Sequence, residues 1–409
     1  MDELKRKYAD MILNVCLQVE DNQPLFISYN SENAEFVRIL ANEAYKIGVK
    51  DIYFDSIDVN LKHDMLINLD FGSLKTSKLF NRSIWNEYAK KGAAFVMLSS
   101  ETPGLMKDVD SELLGKVAVY GLETRKEFDD LRDKSMVPWC IACVPTDSWA
   151  KLLFPESDNP KELLWDKIFD ICGVKKDNPI EALNNKLNKL VERKDKLNSY
   201  NFKKLIYSNS LGTNFSIELN PTTLWATGRE KLATSKEVLV NYPTEEIFTS
   251  PNAGTASGIV YSTKPLSYQD NIINNFWIKF DNGVVIDYGA EEGYETLDRL
   301  INLCENSNRL GEVALVEYDS PISNSNIIFY TTLFDENAAC HLALGDSFPE
   351  CLEGGVNMTE EELKSNNMNK CKSHVDFMIG SSDLNIKGIT FDGREIDIFT
   401  NGNFSELFK

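Results

Sequence analysis

The stretch Leu25-Phe26-Ile27-Ser28-Tyr29, the helical run over residues 34–47, Gly48, and then Asp51-Ile52-Tyr53-Phe54 decide the class of fold. The first run has the length and apolar character of a buried strand, and the third is strand-like. Between them the apolar residues fall at the spacing of one helix face, and Gly48 supplies a C-cap. Strand, helix, strand at this spacing makes a βαβ unit, whose strands are parallel. The pattern extends outward on both sides. Residues 2–20 place Leu4, Tyr8, Met11, Ile12, Val15 and Val19 at helical spacing, and a helix is predicted over 77–91, stopping at Gly92. Ala93-Ala94-Phe95-Val96-Met97-Leu98 and Val137-Pro138-Trp139-Cys140-Ile141-Ala142-Cys143-Val144 read as further buried strands. Two charged helices over 160–169 and 180–197 end this half.

From about residue 203 the pattern changes. Short runs such as Leu205-Ile206-Tyr207, Phe215-Ser216-Ile217-Glu218-Leu219, Val284-Val285-Ile286 and Val313-Ala314-Leu315-Val316 alternate with turn signals. Asp281-Asn282-Gly283 between two such runs predicts a hairpin. The expectation is an α/β protein, α+β overall. A doubly wound, mostly parallel sheet domain would cover residues 1–200, and a strand-rich mixed domain residues 201–409.

The 409 residues carry 43 basic and 63 acidic side chains, a net charge of −20. Nucleic-acid binding needs a basic face to release counterions, so the acidic excess argues against it, and against anionic membrane surfaces likewise. A hydrophobic fraction of 43% is that of a folded globular chain. The longest apolar run noted is far short of the ~20 residues of a membrane span. The start, Met1-Asp2-Glu3-Leu4-Lys5-Arg6, has no apolar core of a signal peptide. A soluble, cytoplasmic protein is expected. The eight cysteines are sparse and several sit in apolar runs, which favours buried reduced thiols over a disulfide framework.

Only three histidines occur. His63 lies in the polar stretch Leu61-Lys62-His63-Asp64 and reads as a surface residue. His374 and Asp376, in Ser373-His374-Val375-Asp376-Phe377-Met378-Ile379, are two apart on a predicted strand and project together. Such a pair binds a divalent ion or forms a structural hydrogen bond; both readings stand. His341 falls in a predicted helix over 335–345, with Asp335 as N-cap, Gly345 as stop and Asn337 on the same face four residues earlier. Here the alternative is a satisfied core histidine. Pro243-Thr244-Glu245-Glu246-Ile247-Phe248 sets two carboxylates beside an apolar pair. Leu310-Gly311-Glu312-Val313-Ala314-Leu315-Val316 carries one Glu inside a buried-looking strand, which is costly unless the Glu is paired, binds metal or reaches solvent at the strand end. Together Glu246, Glu312, His341, His374 and Asp376 suit a two-metal hydrolytic site, where imidazole favours zinc or cobalt over calcium.

At these residues the sequence resembles the metal-dependent aminopeptidases typified by aminopeptidase T and aminopeptidase S. The matching segments are Thr227-Gly228-Arg229-Glu230, the run from Asn241 to Pro251, the run from Leu310 to Val316, the run from Thr332 to Gly345, and His374-Val375-Asp376-Phe377-Met378-Ile379-Gly380-Ser381. The resemblance implies an exopeptidase acting on peptides with a free N-terminus and holding two divalent ions. Zinc or cobalt is the expected identity of both, with magnesium or manganese as the alternatives. It makes Glu246, Glu312, His341, His374 and Asp376 ligands, with Glu312 bridging, and Glu336 a further ligand or general base. Glu312, Glu336 and Glu245 are the carboxylates it offers for the chemical step. It also implies a homodimer whose active sites face an enclosed cavity. One position departs: where the family usually has a tyrosine seven residues after the first ligand histidine, this chain has Phe348.

Three other readings compete. One is dipeptidase action. The second, motivated by Phe348, is a repurposed metal-binding protein without turnover. The third is a redox protein, on the C-x-x-C spacing of Cys140 and Cys143. A reactive pair usually opens a helix, whereas Val144 and Pro145 here continue a strand.

Overall fold

In the computed structural model, which describes all residues except 101, 103 and 270, β1 (Leu25–Asn30) sits inside a five-stranded sheet whose neighbours are all parallel. It lies between β2 (Ile52–Ile57) and β3 (Ala94–Ser99), while β4 (Trp139–Cys143) and the short β5 (Asn241–Tyr242) extend the sheet beyond β3. The strand order therefore reverses at β1, the mark of a doubly wound sheet. Helix α1 (Ala34–Ile47) joins β1 to β2 and stops at Gly48, whose φ is 108°. One core of this unit is aromatic: Phe26 meets Phe95 and Trp85 at 4.9 Å between ring centroids, and Phe128 meets Phe95 at 4.7 Å. Rings this deeply buried each contribute roughly 1.5–3 kcal/mol.

The helix predicted over 77–91 is shorter, Ser83–Lys90. Asn81 accepts a hydrogen bond from the Ser83 N–H, so the chain before it is held in turns. Cys140 and Cys143 are both buried on β4. Three residues apart on a strand they face opposite sides, and the dithiol reading loses its geometry.

The chain forms two compact units, Met1–Asn184 with Arg229–Pro243, and Asn185–Gly228 with Thr244–Lys409. Helix α2 (Pro179–Tyr200) runs through the first boundary. The second unit carries a nine-stranded sheet paired antiparallel throughout. It includes the expected hairpin of Asn271–Asp281 and Val284–Glu292, turning at Asn282 and Gly283, both at positive φ. The same unit contains a five-stranded antiparallel sheet, formed by a short strand Ala226–Thr227, β6 (Ile247–Thr249), β7 (Leu310–Leu315), β8 (His341–Gly345) and β9 (His374–Met378), adjacent in that order. Every residue of β7 and β8 is buried. Among the described residues no helix is long and apolar enough to cross a membrane.

The helix predicted over 335–345 is overturned. Helix α3 is only Thr332–Glu336, and His341 begins strand β8. Asp335 is not the N-cap of a helix; its carboxylate accepts from the Phe329 and Thr331 N–H groups upstream. Nor do Asn337 and His341 share a helix face. Strand β8 is paired on both sides and buried on both faces, so its sequence shows no alternation, and Ala338, Ala339 and Ala343 in and before it imitate a helix.

The register of β7 against β8 shifts between Leu310 and Glu312, at Gly311. A Cβ on Gly311 would stand 2.0 Å from the Asp346 carbonyl oxygen and 2.4 Å from that of Gly345. The bulge thus depends on a residue without a side chain. Gly311→Ala is expected to destabilise the protein by about 1–3 kcal/mol, read as a lowered midpoint in urea. An unchanged midpoint would mean that the chain at 345–346 yields freely.

Candidate metal centre

The pairing of the small sheet determines where its side chains go. Residues opposite one another on antiparallel strands point to the same face. Glu312 is opposite Ala343, which is opposite Asp376; Ala314 is opposite both His341 and Phe248; Gly345 is opposite His374. With side chains alternating along each strand, Glu312, His341, His374 and Asp376 share one face, and Glu246, two before Phe248, joins them. On the same face Ala343 separates Glu312 from Asp376, and Ala314 stands beside His341. Their small side chains leave room for the longer ones to converge.

They do converge. Ligand atoms of Glu246, Glu312 and His341 lie within 4.8 Å of one another, and so do those of Glu312, His374 and Asp376. Glu312 is common to both groups. His341 Nε2 is 3.3 Å from Glu246 Oε2, and His374 Nε2 is 3.1 Å from Glu312 Oε2 and 3.3 Å from Asp376 Oδ1. The other ring nitrogens face backbone carbonyls: His341 Nδ1 meets the Glu336 oxygen at 3.0 Å, and His374 Nδ1 meets the Asp346 oxygen at 2.8 Å. Donation from Nδ1 to a carbonyl leaves Nε2 of each ring as the nitrogen that faces the acids. Of the five residues only His374 is partly exposed. Phe348 packs on it, with ring centroids 4.8 Å apart.

Glu336 and Glu245 are placed differently. Glu336, at the end of α3, is buried and belongs to neither group of three, although its carboxyl is raised by burial and by the nearby charges of Asp376 and Glu246. Glu245 turns its carboxylate to Lys186. Asn337 joins the two segments. Its Oδ1 accepts from the Glu245 N–H at 2.7 Å, and its Nδ2 donates to the Leu333 carbonyl at 2.9 Å and to Glu336 Oε1 at 3.3 Å. Sequence reading missed this role of Asn337, and also Asp346, whose carbonyl orients His374. The only signal was an amide beside the apolar run Ala338-Ala339-Cys340.

The electrostatics show what the cluster demands. Burial pushes Glu312 up to about 7, against the His374 hydrogen bond. Burial would also raise Asp376, but the His374 charge holds it at about 2. Burial pulls His341 down, and the Glu246 hydrogen bond with the charges of Glu312 and Asp376 overcomes that, raising it to about 10. His374 rises well above its usual value for the same kind of reason, with Asp376 and Glu312 as partners. Buried acids this close together demand positive charge, and protons on the imidazoles supply it here. Divalent cations satisfy the same demand while using both Nε2 atoms as donors, so the donor set fits such ions.

A carboxylate–imidazole set on one buried sheet face, with a glutamate shared by two groups, is the donor arrangement of a metal-dependent hydrolase. Comparison with known proteins sharpens the class. Residues 1–404 match the family described as thermophilic metalloprotease (M29), and the chain belongs to that family. It is 37% identical to Aminopeptidase 2 of Geobacillus stearothermophilus over 98% of this chain and 97% of the relative. It is 38% identical to Aminopeptidase AmpS of Bacillus subtilis, over 99% of this chain and 100% of the relative. The solved structure of wild-type AmpT from Thermus thermophilus superposes with a TM-score of 0.90 at 28% identity, covering 98% of this chain and 99% of that one.

Asn337→Ala would strip the part-buried Glu245 N–H and the buried Glu336 carboxyl of one partner each. An unsatisfied buried donor costs about 1–3 kcal/mol, so a loss of that size is expected in chemical denaturation. A midpoint equal to wild type would show that neither contact matters to the folded state.

Proposed function

We propose that this metalloprotease is an aminopeptidase that hydrolyses N-terminal residues from peptides, with two divalent ions held by Glu246, Glu312, His341, His374 and Asp376. The observation that carries it is the sharing of Glu312 between two groups of three in which every residue but His374 is buried. That arrangement suits one ion held with Glu246 and His341, a second with His374 and Asp376, and Glu312 common to both. Charge supports cations there: Glu246, Glu312 and Asp376 are buried acids within the two groups. The imidazoles favour zinc or cobalt, with magnesium and manganese as alternatives. The names of the relatives support a substrate with a free N-terminus.

Bound divalent ions supply two things: polarisation of the scissile carbonyl and a lowered pKa for the attacking water. The remaining work falls to the chain. Glu336 is the better candidate to move the proton, because it is buried among the cluster acids and fixed by Asn337. Glu245 is engaged by Lys186 and serves through its backbone, which joins Glu246 to the Asn337 amide. Phe348 covers His374 with an apolar ring. It keeps water off that side and offers no hydrogen-bond donor to a developing oxyanion. Residence in the cytoplasm and assembly as a homodimer belong to the same proposal. Eight free cysteines agree with a reducing compartment, and sedimentation measures the assembly.

Glu312→Gln is expected to lose bound metal and leucine-anilide hydrolysis together while keeping the wild-type circular dichroism spectrum. Full turnover in a folded variant would sink the two-metal reading. Phe348 gives the second reading, a metal-binding protein without turnover, its one specific support. Phe348→Tyr would add a donor beside His374. Since a single well-placed oxyanion donor is worth about 10²–10³ in kcat, a gain of at least about tenfold is expected if this position governs the rate. Metal bound in full, with no hydrolysis of any aminoacyl anilide by wild type or the tyrosine variant, would favour the second reading.

A further inference from the structure

Six of the eight cysteines are buried, and the two that are not, Cys304 and Cys371, face each other with 3.2 Å between sulfurs. The approach is built by the backbone. Cys304 opens a turn closed by Ser307, whose Oγ accepts from the Cys304 N–H and donates to the Cys304 and Ile301 carbonyls. Asn306 in that turn donates to the Lys370 carbonyl at 3.1 Å, and Asn369 donates back to the Asn306 carbonyl at 3.0 Å. Two side-chain amides thus tie the 304–307 turn to the segment entering β9. Ser373 Oγ stands 3.3 Å from the Cys371 sulfur and 3.9 Å from that of Cys304.

The same segment positions His374. The Cys371 N–H donates to Asp346 Oδ1 at 3.1 Å, the Asp346 N–H donates to the Ser373 carbonyl at 2.6 Å, and the Asp346 carbonyl accepts from His374 Nδ1 at 2.8 Å. Lys370 closes the arrangement on the Asp346 carboxylate.

We propose that Cys304 and Cys371 form a reversible disulfide that displaces Asp346 and His374, making the pair a redox modification site coupled to the metal centre. The coupling, though not the disulfide itself, rests on the metal-centre reading. Hydrogen peroxide supplies the oxidation. Its O–O bond breaks as one thiol becomes a sulfenic acid and one water leaves. The second sulfur then attacks the first, the S–S bond forms and a second water leaves, so two thiols lose two electrons to one peroxide. A dithiol returns both electrons by exchange. Closing 3.2 Å to the roughly 2.0 Å of an S–S bond draws Cys371 toward the turn, and Asp346 is bonded to Cys371 and His374 alike.

The test uses full-length metal-loaded protein treated with hydrogen peroxide, with Cys304→Ser treated in parallel. Peptide mapping is expected to find residues 304 and 371 joined in the wild type, with two fewer titratable thiols. Metal affinity should fall about tenfold or more, as when other supports of a ligand histidine are disturbed. Dithiothreitol should restore it, and Cys304→Ser should keep it throughout. Absence of the joined peptides would overturn the site. Joined peptides with metal affinity unchanged would overturn the coupling. A protein that forms the link and loses metal, yet never hydrolyses an aminoacyl anilide, would uphold this inference while refuting the aminopeptidase reading.

Discussion

The charge balance of one buried sheet face governs this structure. Glu246, Glu312 and Asp376 come together where little water reaches, with Glu336 close by. Taking a carboxylate out of water costs several kcal/mol even after relaxation. The fold gathers these acids in one cluster, and only positive charge, from protonated imidazoles or from cations, makes that arrangement tolerable. The surroundings serve the same end. Backbone carbonyls orient both imidazoles, a buried amide steadies Glu336, and alanines on the paired strands make space.

Precision comes from the strands rather than from loops. Four of the five candidate ligands lie on adjacent, paired strands, and Glu246 immediately precedes another. A site built on paired strands inherits their rigidity, because moving one side chain requires breaking a ladder. The bulge at Gly311 is a small exception. It shifts the register beside Glu312 and brings the backbone of residues 345–346 close, and Asp346 in turn orients His374.

How much of this was legible in sequence differs from residue to residue. The parallel sheet was readable because strands and helices alternate with sharp stops, as at Gly48. Glu312 was readable because a carboxylate inside an apolar strand is an anomaly that calls for a partner. His374 and Asp376 were readable through a period of two. His341 was found as a residue but put on the wrong element. A strand buried on both faces carries no periodicity, and its small side chains looked helical. Asn337, Asp346 and the facing of Cys304 with Cys371 were not legible. Each is a contact made by chain segments far apart in sequence, and only tertiary pairing brings them together. The return of Arg229–Pro243 to the first unit left no pattern either, since its strand in the parallel sheet is two residues long.

That short strand bears on how the molecule could be divided. The outer edge of β4 is covered by Asn241 and Tyr242, which reach it only after the chain has already entered the second unit and come back. A fragment cut after residue 200 would keep four of the five parallel strands and leave β4 with its backbone donors and acceptors facing solvent beside buried cysteines. An open edge of that kind recruits other chains. The two units are therefore separable as architecture but not as polypeptides. A cut anywhere between residues 200 and 241 takes from the parallel sheet a strand that its own edge needs and leaves that strand with no sheet partner in the other piece.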